Sequence, residues 1–297
     1  MLNNKPLESE EPLVSIIMNC FNGEKFLKEA IDSVYAQSFT NWEIIFWDNG
    51  SSDNSAAIAK SYDDRLKYFF VENTSPLGKA RNLAMKKAKG DYIAFLDCDD
   101  KYLSDKIRIQ LTEMQSKKAK LSYGGWIKIN ESGEELKKYK FLNEFGNKFE
   151  ELYKNYSVNS QTLMIKHNYL LENNITFDQN LKFSVDHNIV MRIAFNTPVL
   201  SIDKTLAKYR VHDKAMSKTR ISEKYEDMEY TRTFFESIGA HEKIKNFEYL
   251  SSKSIVFMRL RDSFYERNYK KVVKYYLDFL RLFMKDLSNR FIKNNYK

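Results

Sequence analysis

The chain has 297 residues, of which 43% are hydrophobic, 30% charged and 14% aromatic, with only nine Gly and four Pro. That composition excludes a disordered, collagen-like or low-complexity chain, and at ~150 residues per domain it suggests one large domain, or one with an appendage. The net charge of +8 is unevenly placed, because residues 1–250 carry 36 basic and 36 acidic groups whereas residues 251–297 carry 12 and 4. A nucleic-acid binder normally spreads its basic surface over the fold, so no nucleic-acid partner is expected here. Two cysteines, Cys20 and Cys98, are too few for a disulfide framework or a four-Cys zinc site and suit a reducing cytoplasm. The polar, acidic first residues do not read as a secretory signal, and no window offers the ~20 apolar residues that span a bilayer.

Residues 13–97 alternate strand and helix. Leu13–Met18 is an apolar run of buried-strand type, and Glu24–Gln37 is helical. Glu43–Trp47 is the second strand, and Asn49–Asp53 is a turn able to cap the helix that follows. Leu66–Val71 is a third strand, Leu77–Ala88 a helix closed by Gly90, and Asp91–Leu96 a fourth strand. The alternation predicts βαβ units in a mainly parallel sheet with helices on both faces. Ligands of such sheets bind outside the carboxyl ends of the strands. The middle region, 104–215, reads as less regular α+β: helices at Ser104–Ser116 and Asp186–Asn196, strands at Leu121–Ile129, Gln161–Lys166 and Leu206–Val211. From Ser222 the pattern is almost wholly helical.

Three carboxylates in four residues, Asp97-Cys98-Asp99-Asp100, follow the fourth strand. Such crowding is offset by a hard cation with oxygen ligands, Mn²⁺ or Mg²⁺, or else it is a solvated turn with Asp100 or Ser104 capping the next helix. Asp48 ends the second strand, as a further carboxylate at the same sheet edge or as an Asx-turn residue. Gly78-Lys79-Ala80-Arg81 opens a helix whose first amides and basic side chains face an anion, or are merely solvated.

At these residues the sequence resembles the family 2 glycosyltransferases. The matching segments are Val14–Asn22, Asp48–Asp53, Gly78–Asn82, Gly90–Asp100, Val185–Arg192 and Tyr209–His212, in the family's order. The resemblance implies an α/β, Rossmann-like GT-A domain over 1–215, with a nucleotide-binding half near 12–100 and an acceptor half near 101–215, followed by a basic helical region, 216–297. It implies inverting transfer of one sugar from a nucleotide-diphospho-sugar, UDP-linked, to a hydroxyl of a glycan or lipid-linked saccharide in bacterial surface-polysaccharide or glycoconjugate synthesis. Phe21, Asn22 and Asp48 would hold the nucleotide base, Arg81 the nucleotide, Asp97 the ribose and Asp99 the metal. Asp186 would be the catalytic base, kept ionised by the helix dipole at its N-terminus, and His212 would close the site beside the metal or diphosphate. Where the family often has an acidic residue before its base, this chain has Val185, and no Gln-x-x-Arg-Trp motif follows, against a processive synthase. Rival readings are a sugar-nucleotide pyrophosphorylase, which would need a basic Gly-rich loop after the first strand, and a non-catalytic glycan-binding scaffold, which would be expected to lose these carboxylates.

Trp126 with Tyr153, Tyr156 and Asn159 forms an acceptor wall, or packs in the core. In the tail, Val273, Leu277, Leu280, Met284, Leu287 and Phe291 form a helical stripe, with Lys270, Lys274, Arg281, Lys285 and Lys293 off it. Such a helix either lies on an anionic membrane, at the inner face of the plasma membrane, or packs on the catalytic domain or on a second copy in a homo-oligomer.

Overall fold

The computed structural model describes residues 11–213, 221–244 and 267–295, together with residues 247, 256, 259, 260 and 263. Leu287, Phe291, Lys285 and Lys293 of the predicted stripe have side chains outside that description.

Four apolar strands, β1 (Val14–Cys20), β2 (Trp42–Asp48), β3 (Leu66–Phe70) and β4 (Tyr92–Phe95), form the parallel part of the sheet in the order β3-β2-β1-β4. Central β1 and β2 are buried along nearly their whole length, as strands covered on both faces must be. On one face, helix α1 (Glu24–Tyr35) presents Leu27, Ala30, Ile31 and Val34 to Val14, Ile16 and Met18 of β1 and Ile44 and Phe46 of β2. Helix α2 (Ser55–Lys60) flanks it. Helix α3 (Leu77–Met85) packs against β1 and β2 with its small residues Ala80 and Ala84 fully buried. Gly90 sits where α3 hands over to β4: a Cβ there would lie 2.6 Å from the amide nitrogen of Ser15, so only glycine lets the two strands start side by side.

Beyond β4 the sheet becomes mixed. It continues through β9 (Met164–Lys166), β6 (Leu121–Ile129), β10 (Val199–Arg210) and the short β5 (Lys101–Tyr102), with β7 (Glu135–Tyr139) on β6 and β8 (Glu144–Gly146) on β10. β9 runs antiparallel to β4 and to β6, whereas β6 and β10 are parallel. Helix α4 (Lys106–Lys117) packs on β6 and β10. α6 (His167–Glu172) follows β9, and α7 (Val185–Asn196) precedes β10.

Two expectations change here. Gln161–Lys166 is not one strand: Asn159 accepts a hydrogen bond from the Gln161 amide, which winds Ser160–Thr162 into a 3₁₀ turn and leaves only Met164–Lys166 extended. The last strand starts seven residues earlier than the expected Leu206, at Val199, because its first half pairs with β6 and β8 and a bulge near Thr205 redirects the rest.

Contacts divide the chain into two compact units. The first comprises Met1–Lys148, Ser157–Leu181 and Val185–Ala215, and the second Phe149–Tyr156, Lys182–Ser184 and Met216–Lys297. Within the second, Phe149 of α5 (Phe149–Lys154) meets Phe235 of the helix Ile221–Ser237 at 5.3 Å between ring centroids. Asp227 of that helix is buried, and its carboxylate accepts hydrogen bonds from the amides of Lys182, Phe183 and Ser184 at 2.6–3.1 Å.

Candidate active site

β1 lies between β2 and β4, so the loops leaving these strands open at a topological switch point of the sheet, where ligands of such sheets bind. The first two loops are stitched together through helix ends. Asp53 accepts from the amide of Glu24 at the start of α1, while Glu24 returns the favour to the amide of Asn54 before α2, both at 3.0 Å. Asn22, held in the left-handed region at φ 51°, accepts from the amide of Ser52 at 2.9 Å and donates its own amide to Ser51 Oγ at 3.0 Å. Its neighbour Phe21 is 56% exposed, an aromatic face standing at the loop tip. Below them Cys20 and Cys98 are buried free thiols. The Cys98 thiol, hydrogen-bonded to Cys20 and desolvated, is pushed up, and Cys20 is pulled down by the same contact. Gly23 must be glycine, since a Cβ would come within 2.9 Å of Cys20 Sγ and of Cys98 Cβ.

The acidic turn after β4 is resolved into three carboxylates with three different partners. Asp97 Oδ1 pairs with Arg81 at 3.1 Å, and Oδ2 accepts from Gln161 Nε2 at 2.6 Å. Asp99 Oδ2 lies 3.0 Å from His212 Nε2. Burial, then the charge of Asp97, raises the pKa of Asp99 above the ordinary carboxylate value, against the pull of His212. Asp100 turns the other way and accepts the amide of Arg210 at 2.7 Å. It caps no helix: the residue before α4 is Asp105, without a side-chain cap. Arg81 is not a solvated cation either; it is buried in α3, its guanidinium 5.6 and 5.4 Å from the ring centroids of Phe95 and Phe177. Lys79 is exposed.

Asp186 lies in the first turn of α7. The helix end was expected to hold it ionised. Instead burial raises its pKa, and Asp97 adds to that; Arg81 and the His187 amide pull it down without reversing the shift. Desolvation outweighs the dipole. Arg81 therefore faces two carboxylates, Asp97 in contact and Asp186 through its field.

Asp48 is set apart. Its register partner on β1 is Cys20, and Asp97 follows the strand on β1's other side, so two inter-strand spacings, roughly 10 Å, separate the two acids. Asp48 is fully buried, accepting from the Ser51 amide at 2.8 Å and the Tyr68 hydroxyl at 2.7 Å. Each oxygen keeps one lone pair.

Trp126 stacks on Tyr139 at 3.8 Å and donates to the Ser157 carbonyl at 2.9 Å. Asn159 caps its own turn, and within the second unit Tyr153 lies 6.4 Å from Phe235 between ring centroids. Two contributors escaped sequence reasoning. Gln161 carries no motif. Arg210 lies within the Tyr209–His212 segment without a role, yet it is buried and donates to the Asp99 carbonyl at 3.0 Å, the Glu131 carbonyl at 2.8 Å and Glu29 at 3.0 Å.

Among the described residues no three His, Cys, Asp or Glu side chains cluster as a closed metal cage. Asp99 and His212 offer a hard carboxylate and an imidazole, and Mn²⁺ or Mg²⁺ bound by so few protein ligands completes its shell with substrate phosphates and water. The residues fit such an ion.

The Rossmann-like sheet with acidic strand ends at its switch point defines an α/β protein with a ligand crevice at the carboxyl edge of its strands. Residues 15–195 match the family model described as Glycosyl transferase family 2. The chain belongs to that family. It is 34% identical over 200 residues to an uncharacterised glycosyltransferase of Rickettsia felis, covering 67% of this chain and 33% of that one, so it spans about a third of that relative's length. It is 37% identical over 122 residues to the UDP-Glc:alpha-D-GlcNAc-diphosphoundecaprenol beta-1,3-glucosyltransferase WfgD of Escherichia coli, 41% of this chain and 48% of that one. Among solved structures, Staphylococcus aureus TarS 1–349 in complex with UDP-GlcNAc superposes with a TM-score of 0.65 over 92% of both chains at 17% identity. The mannosyltransferase PcManGT of Pyrobaculum calidifontis, in complex with GDP-Man and Mn²⁺, gives 0.64 over 84% and 72% at 14% identity. The GT-A fold is thereby shown.

Proposed function

We propose that the protein is an inverting, metal-dependent glycosyltransferase that moves a single sugar from a UDP-sugar to a hydroxyl of a glycan or lipid-linked saccharide. One observation carries this reading: Asp97, Asp99, Arg81 and His212 meet at the carboxyl end of β4, with Asp186 within the electrostatic reach of Arg81 and Asp97. Phe21 and Asn22 would flank the base, Asp48 would take its imide N–H through a free lone pair, and Asp97 would hold the ribose. Asp99 and His212 would hold the cation, which when bound neutralises charge growing on the departing diphosphate. Asp186 would take the proton of the attacking hydroxyl. Its raised pKa makes it a stronger base than an ordinary aspartate. The name of WfgD, with its diphosphoundecaprenol acceptor, supports a lipid-linked acceptor in surface-polysaccharide synthesis, worked on at the inner face of the plasma membrane with the basic helix as the peripheral contact.

The test is calorimetry with UDP, with and without Mn²⁺, followed by transfer assays. Asp99→Ala is expected to lose the metal-dependent part of UDP binding. Asp186→Ala is expected to bind UDP as wild type does and to transfer sugar at least a hundredfold more slowly; transfer at the wild-type rate would remove Asp186 from the role of base.

A further inference from the structure

Asp97 is gripped by a residue that no motif marks. β4 and β9 pair antiparallel, with Tyr92 opposite Lys166, Ile93 opposite Ile165 and Ala94 opposite Met164. Three residues further along the same register, Asp97 falls opposite Gln161. Both strands have ended by then, and the Gln161 side chain supplies what a strand backbone would have given. Its Oε1 accepts the Asp97 amide at 2.8 Å, and its Nε2 donates to Asp97 Oδ2 at 2.6 Å. One amide therefore fixes both the main chain and the carboxylate of a single residue.

The amide is itself held. Gln161 is fully buried, its Nε2 also donates to Ser160 Oγ at 3.1 Å, and its backbone N–H is tied to Asn159 Oδ1 at 3.0 Å. Arg81 takes the opposite carboxylate oxygen, so Asp97 is oriented from two sides. A neutral amide offers an acceptor and a donor at once, on two separate atoms. Glutamate would set two carboxylates against each other, and asparagine is about 1.5 Å too short.

We propose that Gln161 is a positioning residue for donor binding, which holds Asp97 in the orientation that receives the ribose of the nucleoside diphosphate. The inference rests on the glycosyltransferase reading above and adds a residue to it. A group held in place by a rigid amide binds its ligand without first losing rotamer freedom. Removing the amide leaves Asp97 held from the Arg81 side alone and its N–H without this partner.

The experiment is a double-mutant cycle on the full-length protein, read by titration of UDP in the presence of Mn²⁺. Gln161→Ala and Asp97→Ala are each expected to weaken UDP by about tenfold or more. The double variant is expected to bind no more weakly than Asp97→Ala, because Gln161 acts through Asp97. In transfer assays Gln161→Ala should raise the donor KM with little change in kcat, the signature of lost binding shared by ground and transition states. The near-isosteric Gln161→Glu keeps the buried volume and serves if the alanine variant does not fold; it should weaken UDP at least as much. Wild-type affinity in either variant overturns the proposal. So does a further tenfold loss on adding Gln161→Ala to Asp97→Ala, which would mark general damage to the loop. If wild type itself binds neither UDP nor GDP, the donor reading fails and this inference falls with it.

Discussion

Arg81 is the residue through which the acidic groups of the site sense one another. It contacts Asp97 and lowers the pKa of Asp186, while Asp97 raises it. If Asp186 is the base, the transfer rate falls as pH drops through its pKa, and that pKa lies above the usual carboxylate value. Arg81→Met removes the positive charge that lowers the Asp186 pKa, so the acid limb of kcat at saturating donor should move to higher pH. Asp97→Asn removes a negative charge and should move it to lower pH. A pH profile unmoved by both would separate Asp186 from the chemistry. At this scale the sequence was legible where residue type alone carries meaning: the carboxylates at strand ends, and a histidine two residues beyond a strand. It was silent about Gln161, because an amide becomes informative only once the register of β9 on β4 puts it opposite Asp97. The direction of the Asp186 shift was hidden for the same kind of reason: its place in the chain reveals the helix dipole, but only the fold reveals the desolvation that raises its pKa.

Elements built from continuous apolar runs were readable, and β1, β2, β6 and α7 lie within two residues of expectation. The strands β7 and β8 were not, since Glu135–Tyr139 and Glu144–Gly146 are polar edge strands with no alternating hydrophobic face. Helix α4 hides a cost that composition also conceals. Its first residue, Lys106, is fully buried, with Nζ 3.5 Å from the Leu163 carbonyl and 4.2 Å from the Tyr102 ring centroid. Burial drives its pKa down to about 7. Between pH 7 and the ordinary lysine value the unfolded chain binds more protons at this site than the folded one, so stability should rise with pH across that window. Below it, Lys106 is protonated in both states and the full cost of burying its charge is present, on the order of a few kcal/mol. Lys106→Met, which keeps the length and removes the charge, should raise the melting temperature at pH 6 and flatten the rise toward pH 10. A variant with the wild-type pH slope would show that Lys106 is not what titrates.

For the whole molecule, the charge asymmetry now has a structural carrier. The helix Tyr269–Asn295 turns Tyr269, Val273, Tyr276, Leu277, Leu280, Phe283 and Met284 to solvent, with Val273 59% and Met284 63% exposed. Val272 and Phe279 are more covered. The stripe expected to be either a packing face or a membrane face is thus open over the described residues. Lys270, Lys271, Lys274 and Arg281 flank it, and each cation near an anionic bilayer contributes about 1 kcal/mol. No helix among the described residues is long and apolar enough to cross a membrane, so a contact through this face would be peripheral. Full-length protein should float with vesicles containing phosphatidylglycerol and much less with phosphatidylcholine alone. Lys270→Glu with Lys274→Glu should cut the bound fraction's partition coefficient about tenfold or more, and raised salt should weaken wild-type binding in the same direction. Leu277→Ser with Leu280→Ser removes apolar contact without touching charge and should also release the protein. If neither pair changes flotation but the serine pair turns a dimer into a monomer by light scattering, the stripe is covered by a second copy of the chain, and the basic residues serve solubility instead.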